Sequence, residues 1–233
     1  MIATLVSLAL AQAASAAPSR PAADPVPLPG THTYGLIDRD RANRCTALAQ
    51  DDPGSAVIEA DRWLGEGGTY FARQCLALAL AHQQHFSEAA GAFAEAADEA
   101  DAARSPLAAR LWVQAGNAAI AANTPALARQ FLDRAIGEGT MTGAALGALW
   151  LDRARASITL EDWPAARSDL EQAKPLQGND PAIWLLSATL YRRQDALESA
   201  ESDIAIAARL APQDAAIALE AGNIAAAAQH LDV

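Results

Sequence analysis

Lysine is almost missing from this chain: Lys174 stands alone among 233 residues, and arginine carries nearly all the positive charge. Aromatic residues make up only 5%. β-Branched residues never gather into alternating runs, which removes the pattern that strands require. No glycine-rich phosphate loop, His-Glu-x-x-His pair or nucleophile elbow occurs. His82 and His85 lie three apart on one expected helix, but no cysteine or other third ligand accompanies them. The acid pairs Asp51-Asp52 and Glu161-Asp162 fall just before expected helices, where carboxylates complement the N-terminal dipole. Neither metal nor cofactor is expected, and no residue is assigned a catalytic role. The net charge of −11 argues against coating nucleic acid or an acidic membrane.

What the chain does have is alanine in quantity, which favours helices that pack closely. An all-α protein is expected. Before the helices comes an apolar, uncharged stretch ending in Ala14-Ser15-Ala16-Ala17, the small residues a signal peptidase needs. Residues 1–16 are therefore expected to be a signal peptide cut after Ala16, with Ala13 or Ala17 as neighbouring sites. No basic residue precedes that stretch, so an uncleaved anchor or an upstream start stays open. Residues 17–35 contain Pro18, Pro21, Pro25, Pro27 and Pro29 and are expected to be an extended tether.

Beyond it one register recurs. Ala89, Ala128, Ala166 and Ala200 are separated by 39, 38 and 34 residues. Sixteen places before the last three stand Trp112, Trp150 and Trp184, with Arg73 in the first. Twelve before come Ala77, Gly116, Ala154 and Ala188; seven after come Ala96, Ala135, Ala173 and Ala207. Breaks between these units predict helix pairs at 69–84 and 87–103, 106–122 and 125–136, 142–160 and 164–173, and 181–193 and 196–210. Ser105-Pro106, Thr124-Pro125 and Asp180-Pro181 each place a capping side chain before a proline. Gly137, Gly139 and Gly178 fall where left-handed backbone often ends a helix.

This register resembles the tetratricopeptide repeat, whose helix–turn–helix units recur about every 34 residues. The resemblance implies a right-handed α-solenoid. Its parts would be a degenerate N-terminal helical pair (36–68, helices at 38–49 and 53–65), four repeats (69–212) and a C-terminal capping helix (213–233, helical over 214–230). It also implies a concave face lined by the first helix of each unit, which receives an extended peptide or a partner helix. Carried over place by place, that face comprises Gln74, Cys75, Leu78 and His82, then Val113, Gln114, Asn117 and Ala121, then Leu151, Asp152, Arg155 and Thr159. The fourth unit adds Leu185, Leu186, Thr189, Arg192 and Arg193. The partner-binding candidates are Gln114, Asn117, Asp152, Arg155, Thr159, Thr189, Arg192 and Arg193. With Lys174 as its single lysine, the chain lacks the lysines with which some relatives clamp a terminal carboxylate.

The same register puts Cys45 and Cys75 on the first helices of adjacent units. In an exported chain the pair is expected to form a disulfide; two buried thiols are the alternative. The expected role is a periplasmic protein–protein scaffold that binds no nucleic acid and keeps no stable membrane insertion after cleavage. A cytoplasmic adaptor is the other reading, and a small-ligand or enzymatic role on the same scaffold is a third.

Overall fold

The computed structural model describes residues 31–231, with side chains from residue 39 to residue 229. The expected signal segment, its cut after Ala16 and the prolines of residues 17–30 lie outside the described residues. Within them are eleven helices and no strand. α1 (Thr31–Asp51) and α2 (Pro53–Gly65) form the first pair. The units that follow are α3 (Tyr70–His82) with α4 (Phe86–Ala102), and α5 (Ala108–Ala121) with α6 (Pro125–Gly137). Next come α7 (Gly143–Thr159) with α8 (Trp163–Gln177), and α9 (Pro181–Arg193) with α10 (Leu197–Leu210). α11 (Ala215–Leu231) closes the array.

Two helices run further than expected. α1 begins at Thr31, inside the stretch expected to be an extended tether, because Pro29 is the last proline before Pro53 and nothing after it breaks a helix. α8 continues past 173 to Gln177 with Pro175 inside it. That proline has no N–H for the Glu171 carbonyl, and the helix ends two residues later.

Each regular hairpin turns in the same way. Gln84, Asn123, Glu161 and Asp195 all stand five residues before their unit's alanine, and all are left-handed, with φ of 63°, 57°, 59° and 60°. The next residue's N–H reaches back to a carbonyl five residues earlier: His85 to Leu80, Thr124 to Ala119, Asp162 to Ser157, and Ala196 to Tyr191, each at 2.9 Å. This is the Schellman closure of a helix C-terminus. It is built on non-glycine residues, for which left-handed backbone carries steric strain. The expected glycines play a smaller part. Gly139 is left-handed (φ 64°), but Gly137 is still helical and Gly178 is right-handed at φ −61°.

The expected caps also divide. Asp180 accepts from the Ala182 N–H at 2.9 Å, as anticipated. Thr124 instead donates its hydroxyl to the Ala119 carbonyl at 2.9 Å, closing the helix behind it rather than opening the one ahead. Pro106 lies in a turn outside α5, whose first residue is Ala108. Asp52 and Asp162 cap α2 and α8 by accepting from Ser55 N and Ala165 N at 3.1 and 3.3 Å.

Small and large residues alternate across the hairpins. Four places after each alanine come Phe93, Leu132, Leu170 and Ile204, all buried. Their counterparts are the small residues twelve places before it. At Gly116 the fit is tight: a methyl there would lie 2.6 Å from Leu132 Cγ and Cδ2. α3 to α6, with Leu149 and Ala156 of α7, share one continuous apolar cluster. α7 to α11 have two smaller clusters, one around Leu170 and Ile183, the other around Ile204 and Ile224.

The three register tryptophans each join one of these clusters, and each carries a cation over its ring. Arg134 stands 3.8 Å from the Trp112 centroid, Arg153 4.6 Å from Trp150, and Lys174 5.1 Å from Trp184. Cys45 and Cys75 are joined by a disulfide, with Cα atoms 5.8 Å apart and both residues buried. The bond ties α1 to α3.

Candidate partner-binding face

Helices with odd numbers lie side by side: α1 touches α3, α5 touches α7, and α9 touches both α7 and α11. The partner-binding candidates expected from the sequence all lie on these helices.

At its middle, α5 and α7 meet through polar groups. Gln74 of α3 donates to Gln114 of α5 at 3.2 Å. Asn117 is exposed and faces Asp152 of α7, which pairs with Arg155 one turn along. Burial pushes the Asp152 carboxyl above its ordinary value, and Arg155 and Asn117 only partly offset that effect. Gln114, Asn117, Asp152 and Arg155 therefore form one polar run across α5 and α7, which Gln74 extends to α3.

Thr159 and Thr189 bond back into their own helices. Each hydroxyl donates to the carbonyl four residues earlier, Arg155 and Leu185 respectively, at 3.0 Å. What they offer a partner is mainly a methyl and a second lone pair.

Arg192 and Arg193 separate. Arg192 grips Glu220 of α11 with two hydrogen bonds of 2.7 and 3.2 Å, and Asn223 donates to the same carboxylate at 3.3 Å. Glu220 is buried, so this pairing holds the last helix in place. Arg193, about 100° further round the helix, is exposed and makes no ion pair among the described residues.

Towards the C-terminal end the face deepens into a groove of about 280 Å³ between α7, α9 and α11. Leu185, Leu186 and Leu219 form its apolar wall; Arg155, Thr189 and Glu220 are its polar margin. Arg155 and Thr189 thus belong to one site, whereas Gln114 and Asn117 lie outside the groove. Leu219 is 68% exposed. It is missing from the face expected from the sequence because that face ends with the fourth unit. The signal was present all the same: Gly222 occupies the small-residue place of α11, which puts Leu219 level with Val113, Leu151 and Leu185.

Among the described residues no three metal-ligating side chains converge, and no helix is long and apolar enough to cross a membrane.

No protein-family model matches the chain, and no curated protein matches it in sequence. Solved structures do match in shape. BtubC from P. vanneervenii superposes with a TM-score of 0.58 at 15% identity, over 85% of this chain and 84% of that one. TTC0263, a TPR protein from Thermus thermophilus, gives 0.55 at 20% identity, over 80% and 98%. YrrB, a TPR protein with an unusual peptide-binding site, gives 0.53 at 20% identity, over 68% and 77%. At such identities the likeness shows the fold: this chain is an α-solenoid of tetratricopeptide type.

Proposed function

We propose that this protein is an exported, periplasmic interaction scaffold that holds an extended peptide or a partner helix on the face lined by its first helices. The observation that carries the reading is the open groove between α7, α9 and α11, with Leu219 turned to solvent beside Arg155. An apolar wall with a few polar groups at its margin is how a groove selects a peptide. At about 280 Å³ the groove has room for a large apolar side chain of a bound segment. The similarity to YrrB, a protein with a peptide-binding site, agrees with this use of the fold.

The Cys45–Cys75 bond supports the choice of compartment, since such bonds persist where the surroundings oxidise. Two measurements test the reading. A photo-crosslinking residue placed at Thr189 should capture a discrete partner in cells, while the same residue at Ser168 on α8 should not; equal labelling from both sites would refute the face. Residues 1–29 fused to an export-dependent reporter should deliver it. A silent fusion together with reduced cysteines in cells would favour the cytoplasmic adaptor.

A further inference from the structure

Charge is sorted between the two rows of helices. The first helices α3, α5, α7 and α9 hold Arg73, Arg110, Arg153, Arg155, Arg192 and Arg193 against a single acid, Asp152. The second helices α4, α6, α8 and α10 hold eleven carboxylates and five cations. In a chain of net charge −11, the row that lines the groove is therefore the basic one.

Several of those arginines are engaged inside the fold. Arg73 pairs with Glu95 and Glu99, Arg153 with Asp133 and Asp169, and Arg192 with Glu220. Three remain towards solvent. Arg110 and Arg193 are exposed without an ion pair among the described residues, and Arg155 shares only Asp152, its neighbour one turn away. Arg110 lies one turn before Gln114, and Arg193 one turn beyond Thr189, so both extend the contact places already described. The unpaired charge on this face is thus positive, and its apolar part is the groove beside Arg155.

Resting on the scaffold reading above, we propose that the occupant is an acidic segment of a partner protein. One large apolar side chain seats between Leu185, Leu186 and Leu219, and flanking carboxylates meet Arg155 and Arg193. Arginine suits this role because its guanidinium takes a carboxylate with two parallel hydrogen bonds. The acidic outer row would repel the same segment, so the field of the whole molecule directs it to the inner face. A basic partner would be drawn to the α4 side instead, where Glu88, Glu95, Asp98, Glu99 and Asp101 stand on one helix.

The test uses the whole chain and fluorescent peptides that share a central leucine flanked by aspartate and glutamate, by glutamine, or by lysine. Anisotropy should show the acidic series binding at least about tenfold more tightly than the glutamine series, an advantage that falls with added salt. The combined R155E and R193E changes should abolish the preference. Leu219→Ala should weaken acidic and glutamine probes alike, and circular dichroism should show both variants folded. Glutamine or lysine probes that bind as well as acidic ones would overturn the acidic partner while leaving the groove in use. Failure of every series would overturn the groove itself. Capture of phosphatidylglycerol vesicles without peptide binding would overturn both in favour of a lipid surface.

Discussion

The two halves of the array use one repeat in different chemical materials. The contrast lies at two equivalent places, thirteen before and three after the register alanine. In the first two regular units those places hold only apolar residues: Ala92, Ala115 and Phe131 join the large cluster, while Leu76 packs against Cys45, Ala60 and Cys75. In the next two they hold Arg153 with Asp169 and Ser187 with Asp203. Arg153 grips Asp169 with bonds of 3.0 and 2.6 Å, and Ser187 donates to Asp203 at 2.6 Å. The ends differ in the same sense. α1 is fastened to α3 by a disulfide, and α11 to α9 by the Arg192–Glu220 pair. A repeat needs complementary volume at this junction, and either apolar side chains or a satisfied polar pair supplies it. Half-breaking the polar version leaves a buried group unpaired, whereas half-breaking the apolar one leaves a cavity.

The comparison can be broken most severely at the N-terminal fastening. Replacing Cys45 and Cys75 with alanine frees a 30-residue loop, which in the chain-entropy model costs about 3–4 kcal/mol. Amide exchange should quicken in α1 and α2 first and leave α7 to α11 protected, because each unit rests on its neighbours. Uniform loss of protection would show that the halves do not act separately.

Next comes Asp169→Ala, which leaves Arg153 with only the exposed carboxylate of Asp133; denaturant unfolding should show a loss of about 3 kcal/mol. Changing Arg153 to Met and Asp169 to Leu together should recover most of it, making unit three resemble units one and two. If the pair is worth more than its apolar substitute, the double variant will stay as weak as the single one.

Gly116→Val probes the apolar half, since even a methyl at that place meets the fully buried Leu132. The expected loss is roughly 1–3 kcal/mol in chemical denaturation, and Leu132→Ala in the same chain should relieve part of it. Glu161→Gly should act in the opposite direction. It removes a left-handed side chain at φ 59° and should raise stability by about 1 kcal/mol, with Asn123→Gly giving less because asparagine tolerates that backbone.

The smallest effect belongs to Asp152. Its carboxyl ionises at an ordinary value of 3.8 in the unfolded chain and higher in the folded one. Between those two values the folded chain keeps a proton that the unfolded chain has released, so this group's contribution falls as pH rises. Asp152→Asn should therefore gain on the parent in melting temperature as pH climbs from below 3.8 to neutral. A constant difference across that range would contradict the burial of this carboxylate.

The repeat was legible because its signal is steric. An alanine or glycine at a helix crossing is needed in every unit, and spacing alone reveals it. Ten of the helices begin and end within four residues of the expected places, while α1 begins earlier because nothing but proline was there to stop it. The turns were less legible. Gln84, Asn123, Glu161 and Asp195 share no side-chain chemistry, so only backbone angles reveal that they occupy equivalent places. Arg192 and Arg193 show the same limit at the candidate face. They are adjacent arginines with one character in the sequence, yet the first is committed to Glu220 and the second faces solvent.

Periodicity and small residues thus determined by themselves that this chain builds stacked helix hairpins, since packing distance admits few side chains at a crossing. Which arginines stay free, where the groove opens and which acid is buried were decided only in three dimensions. Those properties depend on what a neighbouring helix places opposite each side chain, and Arg192 finds its partner 28 positions away.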